Sequence, residues 1–291
     1  MPKVAIKRPD INAAHILLGA DWPSREIGAI GQEEWLVQIR LSGIGSQRHV
    51  RNAARIRDPR DLGNSQLGKQ NEADAIVGPP LNIGITNEGG DWTRDGTYAY
   101  PGSLTLSKST FVALYVDVLR SLHDNGLRRA FLYIGHLGTR HVEAVVQVVE
   151  EANRRIDGMS VYATIDSEML ERMKLASSSH ILSVEKGRNF EMVARLLGQG
   201  TELPRTTHAD GAETSWTLYF YPHVVRPGYE RFPQTPSSRF LEVLSSGDRA
   251  KNPSGSGGFP FDKASAEVGK QIVDYKTARI GEAILQVLRA K

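Results

Sequence analysis

Two histidines and a glutamate stand in stretches where a folded chain gathers side chains at a crevice. His136 lies in Gly135-His136-Leu137-Gly138, between the mostly apolar run Arg128 to Ile134 and the periodic run Val142 to Ala152. The first run reads as a buried strand and the second as an amphipathic helix. In an open α/β sheet, the loop at the carboxyl end of a strand and the helix N-terminus after it line a crevice where ligands bind. The spacing puts His136 there. An imidazole at that place can ligate a metal or carry a proton, and it can equally be a loop histidine satisfied by a neighbouring carbonyl. His208 and Glu213 are too far apart in sequence to stack on one helix face, but a turn at Asp210-Gly211 brings both to one crevice. Glu213 then falls in the first turn of a helix, where the helix dipole by itself also favours a carboxylate.

Composition limits the chemistry. The chain has no cysteine, so disulfides and thiolate sites are excluded, and any metal is held by His, Asp, Glu and amide or water oxygens. With 291 residues, 40% hydrophobic and 24% charged, it is an ordinary globular chain, read here as a single α/β domain over residues 1–291. No apolar run approaches the roughly 20 residues that span a bilayer. Met1 to Pro9 lacks the apolar region of a secretory signal, so a cytoplasmic protein is expected. A net charge of +3, with basic residues interleaved among acidic ones, leaves no nucleic-acid footprint.

The elements that must position these groups follow in order. Trp35 to Leu41 and Ala73 to Leu81 read as strands, the second ended by Pro79-Pro80. Between them, Gln47, His49, Asp58 and Asp61 lie in a polar, arginine-rich stretch that reads equally as a solvated surface segment. Gly84 to Gly102 is a long loop rich in Gly, Asp, Asn and Thr, and its aromatics Trp92, Tyr98 and Tyr100 suggest that it lines a site. Leu104 to Leu122 reads as a helix capped by Ser107 or Ser109 and stopped at Asp124-Asn125-Gly126. Ser160 to Ile165 is a further strand, Phe190 to Leu197 a helix ended by Gly198, and Lys263 to Leu288 a closing helix. Alternating strands and helices predict a three-layer αβα sandwich around a mainly parallel sheet.

Several of these segments together resemble the creatininase-type amidohydrolase family. The resemblance rests on Gly135-His136-Leu137-Gly138 after a strand, His208-Ala209 followed by Glu213-Thr214-Ser215, and Gly257-Gly258-Phe259-Pro260 with Ala264, Ala266, Glu267 and Gly269. It also takes in Pro79-Pro80-Leu81-Asn82-Ile83-Gly84 with Glu88, and Pro101-Gly102-Ser103, running from about Trp35 to Leu288. It implies a creatininase-like single-domain αβα sandwich, a homo-oligomer, usually a hexamer, and one or two divalent ions, zinc or manganese. It also implies a metal-bound hydroxide that hydrolyses an amide-like C–N bond in a small, often cyclic, substrate.

The family's first ligands follow a Gly-Ser as a Glu, a His two residues on and an Asp nine beyond. Gly45-Ser46-Gln47-Arg48-His49 with Asp58 matches that pattern if the residue between Ser and Glu is dropped, and it places Gln47 where a Glu is expected. A neutral amide brings no charge, so a second ion should bind more weakly or be missing. The resemblance thus names Gln47, His49, Asp58, His136 and Glu213 as metal ligands, with Asp58 bridging if two ions are present. His208 becomes the proton donor to the leaving nitrogen, suited by an ordinary pKa of about 6.5. Glu88 becomes a carboxylate that orients substrate or supports the site, and Arg140 and His141 become candidates to contact an anionic substrate or a neighbouring subunit.

Departures narrow the substrate. The family's loop usually reads Asn-Gly-His-Gly-Gly-Asn, and Ile134, Leu137 and Thr139 replace three of its members. Creatininases proper have a Glu two residues after the His, where this chain has Gly138, so creatinine is not the expected substrate. Gly90 to Tyr100 looks like an insertion that brings new aromatics to the pocket mouth. Two other functions stay open: hydrolysis of another carbonyl-adjacent bond, C–C or lactone, and a metal-free role in binding or assembly.

Overall fold

The computed structural model of the chain describes residues 35–39, 75–77, 81, 83–175, 177–184, 187–198, 208–232, 248–253 and 255–289. Among the described residues five strands form one sheet: β1 (Trp35–Ile39), β2 (Ala75–Val77), β3 (Arg129–Tyr133), β4 (Ser160–Asp166) and β5 (Ile181–Val184), in the order β2-β1-β3-β4-β5. β3, β4 and β5 pair in parallel, with Phe131 opposite Tyr162 and Thr164 opposite Leu182. β1 is antiparallel to both its neighbours, with Val37 opposite Val77 on one side and Phe131 on the other. Of these described strands, β2, β3, β4 and β5 point one way and β1 is reversed.

The helices are α1 (Lys108–Asp124), α2 (Thr139–Arg155), α3 (Ser167–Arg172), α4 (Gly187–Leu196), α5 (Gly211–Phe220) and α6 (Ala266–Arg289). Ser107 caps α1 by accepting the Thr110 N–H at 3.2 Å, as the sequence predicts. α2 has its Val142, Val145, Val148 and Val149 stripe buried. β5 and α3 have only four and six residues, too few for periodicity to single them out.

Alternation along β3 and β4 builds the layers. Ala130, Leu132, Val161, Ala163 and Ile165 face α1 and α2, packing on Phe111, Leu119, Val142 and Val149. Phe131 and Tyr162 face the other way, against Ile280, Ile284, Val287 and Leu288 of α6. An α/β sandwich of three layers results, the creatininase-like architecture expected. A further cluster joins α4, α5 and α6 through Val193, Leu197, Ala212, Phe259 and Ile272.

At the α5–α6 crossing, Gly269 lets two backbones touch. A Cβ there would run into the Ser215 carbonyl group and lie 2.8 Å from Trp216 N. Those are main-chain atoms of a helix and cannot rotate away. Gly269→Ala should therefore destabilise the protein by about 1–3 kcal/mol or more, read as a fall in the urea midpoint with the slope unchanged.

Candidate active site

His136 follows β3 by three residues and precedes Gly138, the N-cap of α2, so it sits at the carboxyl end of the central strand. Its ring is buried and hydrogen-bonds the backbone of Ile85. The Ile85 N–H in turn donates to His141 Nδ1 at 3.1 Å. The rings of His136 and His141 meet edge-on with centroids 5.2 Å apart, and Phe111 packs on the edge of His141 at 4.9 Å. Burial, helped by any charge on His141 and His208, holds His136 well below the usual imidazole range. The ring is thus a neutral imidazole with a lone pair to offer.

Gly138 leaves a notch beside that ring. A Cβ there would run into His136 Nε2 and stand 2.9 Å from Glu88 Oε1, so the imidazole and the carboxylate flank one point. The Glu88 carboxyl takes backbone hydrogen bonds from Thr139 and Arg140 in the first turn of α2. Burial pushes its pKa up, the Arg140 N–H works against that rise, and Asp95 adds to it.

The loop beyond Glu88 is tied down on several sides. Asp95 accepts the Glu88 N–H at 2.9 Å, and Asp91 accepts from the Lys108 N–H and, at 2.7 Å, from the Arg140 guanidinium. These contacts change the expectation for α2's first turn. Arg140 pairs within the chain, and His141, fully buried against Phe111 and Ile85, is withdrawn from any substrate or neighbouring subunit. The aromatic lining is also revised. Tyr100 is buried and its hydroxyl donates to the Asn252 carbonyl at 2.8 Å, so it fastens the loop to the 248–253 segment. Trp92 stands 62% exposed with a φ of 67°, a strained backbone for a bulky residue.

On the opposite side, His208 enters through a two-residue bridge. His208 N–H donates to Gly257 O at 2.9 Å, and Gly257 N–H returns a bond at 3.0 Å. Ala209 then turns with a φ of 46°, held by Ser256 Oγ, which donates to its carbonyl at 2.7 Å, and by Glu213 Oε2, which accepts its N–H at 2.8 Å. Asp210 is the N-cap of α5. Its Oδ1 accepts from the N–H groups of Ala212 and Glu213, and its Oδ2 accepts from Phe259 N–H at 2.9 Å. Asp and Glu at N-cap and N3 make a variant of the capping box in which the Glu reaches one residue further back.

Burial dominates the titration here. It pushes His208 down to about 4 and Glu213 up, and with the Glu213 charge it brings Asp210 up to about 7 against the pull of its backbone donors. His208 is therefore neutral near pH 7. That differs from the ordinary pKa assumed from the sequence, because the sequence did not show the ring losing its water.

His136 and His208 are close enough to interact electrostatically, Glu88 lies beside His136, and Glu213 holds the backbone N–H of Ala209, the residue after His208. Gln47, His49 and Asp58 lie outside the described residues. Among the described residues no three His, Asp or Glu side chains stand close enough to hold an ion. What is present fits part of a divalent site: a neutral imidazole and the Glu88 carboxylate flanking it at the Gly138 notch, while the Glu213 carboxylate is engaged at the start of α5. Sequence reasoning missed Asp210 and the burial of His141. The Asp-x-x-Glu spacing was a signal for the first. The i, i+4, i+7 stripe His141-Val145-Val148 was a signal for the second.

The family model described as "Creatininase: Creatinine amidohydrolase" matches residues 60–284, which include Glu88, His136, His208 and Glu213. No curated protein gives a significant match. Among solved structures, a creatinine amidohydrolase (creatininase) is similar at 20% identity over 73% of this chain and 75% of its own, with a TM-score of 0.47. A structure described as "Creatininase Mn" is similar at 20% identity over 72% and 74%, with a TM-score of 0.46. A Zn-Zn form of a creatininase mutant is similar at 18% identity over 70% and 72%, with a TM-score of 0.43. The family match spans most of the sequence and every described candidate residue, so the chain belongs to the creatininase (creatinine amidohydrolase) family.

Proposed function

We propose that this protein is a metal-dependent hydrolase that cleaves an amide-like C–N bond in a small molecule, with His136, Glu213 and the undescribed Gln47, His49 and Asp58 as the ligand set. The observation that carries this reading is the buried His136 imidazole at the end of β3, flanked by the Glu88 carboxylate at the Gly138 notch and within electrostatic reach of the buried His208, in a family of amidohydrolases. A divalent cation, zinc or manganese, supplies Lewis acidity when bound, polarising the scissile carbonyl and lowering the pKa of water.

The rest is done by the chain. His136, protonated toward Ile85, presents its other nitrogen to the site. His208, neutral at the start, takes a proton from the attacking water and hands it to the leaving nitrogen as the C–N bond breaks. Glu88, anchored on the first turn of α2, orients the substrate beside His136. Gly138 in place of the creatininase Glu argues for an amide other than creatinine.

A thermal-shift screen of divalent cations, followed by cyclic amides and ureas with the best one, tests the proposal. About one or two ions per chain and turnover of one of these substrates are the expected results. His136→Ala should abolish the cation-dependent shift. His208→Asn should keep it while kcat falls about 10²–10⁴-fold. A protein that takes up no cation yet stays folded would refute hydrolysis and favour the binding or assembly role.

A further inference from the structure

We propose that His141 is a positioning residue that fixes which nitrogen of His136 carries its proton, acting through the Ile85 peptide. Two imidazoles hold opposite ends of one residue. The Ile85 N–H donates to His141 Nδ1 at 3.1 Å, so His141 accepts there and carries its own proton on Nε2. His136 bonds the same residue's backbone, and since the Ile85 N–H is already given to His141, the ring is the donor and the Ile85 carbonyl the acceptor. His136 Nε2 lies against Gly138, which leaves Nδ1 as the nitrogen that serves Ile85 and puts the lone pair on Nε2 even with Glu88 Oε1 near the same notch.

His141 itself has little freedom. It is fully buried in the first turn of α2, with Phe111 on one edge and His136 on another. It locks the 84–87 segment in register with α2, and so presents the Ile85 carbonyl to His136. Without that acceptor for the Ile85 N–H, the segment can shift and His136 loses the partner that selects its tautomer. A hydrogen bond of this kind behind a ligating imidazole governs affinity as well as orientation. The role rests on the proposed function only in taking Nε2 as the ligating atom.

The test is a long-range 1H–15N correlation on the metal-free full chain labelled in histidine, near neutral pH, with the His136 signal assigned by its loss in His136→Asn. Wild type should show a single His136 tautomer protonated at Nδ1. His141→Asn, whose side-chain oxygen takes the place of Nδ1, should keep it. His141→Leu and His141→Gln should show mixed tautomers and a Zn²⁺ or Mn²⁺ affinity lowered about 10–100-fold by calorimetry.

A wild-type His136 protonated at Nε2, or a wild-type tautomer in His141→Leu, would overturn the inference. Should His141→Leu fail to fold, Asn and Gln decide, since equal behaviour of the two is incompatible with an acceptor placed at Nδ1. If the tautomers follow this pattern while wild type binds no cation, the inference stands and the hydrolase reading fails.

Discussion

Alanine at position 138 is expected to remove cation uptake and hydrolysis together, with kcat/KM down about 10²-fold or more, while the fold loses only about 1–3 kcal/mol. Gly138 has φ −62° and ψ 140°, which any residue adopts, so its glycine serves space and not backbone freedom. A Cβ would run into His136 Nε2, and Glu88 Oε1 and His136 Cε1 would lie 2.9 and 3.0 Å away. All three atoms belong to side chains of the proposed site. Relief must come from moving the imidazole off Ile85 or the carboxylate off α2, and a displacement near 1 Å is enough for the stated loss.

The same reasoning predicts that Gly138→Glu, which restores the creatininase residue, does not restore creatinine turnover. Its first carbon already occupies the volume that His136 and Glu88 need. Metal titration and kinetics on both variants check this. Gly138→Ala with wild-type kcat/KM would show that the notch is not part of the site.

How far the sequence reached depends on how local each cause is. β3 and α2 were legible because an apolar strand, two glycines and a stripe of valines lie in one short stretch. α5 began where the Asp210-Gly211 turn predicts, with Glu213 in its first turn. β5 was not legible, because Ile181–Val184 is defined by pairing with Ala163 to Asp166 and not by its own pattern.

The site divides in the same way. The position of His136 at a strand end could be read from residue order. The peptide that orients it could not, since Ile85 and His141 stand 56 residues apart in sequence. The structural reading of each key residue holds: His136 bonds a nearby backbone group as a loop histidine does, and Glu213 serves its helix end as a first-turn carboxylate does. The ligand roles proposed for them would fall to the remaining nitrogen and oxygen of the same side chains. The charge state of His208 was out of reach because burial is a tertiary property.

Asp210→Ala should cost about 2–4 kcal/mol of stability, through a lost helix cap and stranded backbone donors. The carboxylate is fully buried and accepts three backbone N–H groups, from Ala212 at 3.0 Å, Glu213 at 3.1 Å and Phe259 at 2.9 Å. Truncation strands those donors away from water, at about 1–3 kcal/mol for each one left unsatisfied. The harm spreads, because Phe259 belongs to the cluster joining α4, α5 and α6, and Gly257 in the same loop pairs with His208.

Asn separates the two jobs of this side chain. Its oxygen can still cap Ala212 and Glu213, but its amide then turns a donor toward the Phe259 N–H. Urea denaturation should therefore rank wild type above Asp210→Asn, and Asp210→Asn above Asp210→Ala. Equal midpoints for wild type and Asp210→Ala would mean that this carboxylate does not join the helix start to the Phe259 loop. An Asn variant as stable as wild type would mean that the Phe259 bond contributes nothing, leaving Asp210 as a helix cap alone.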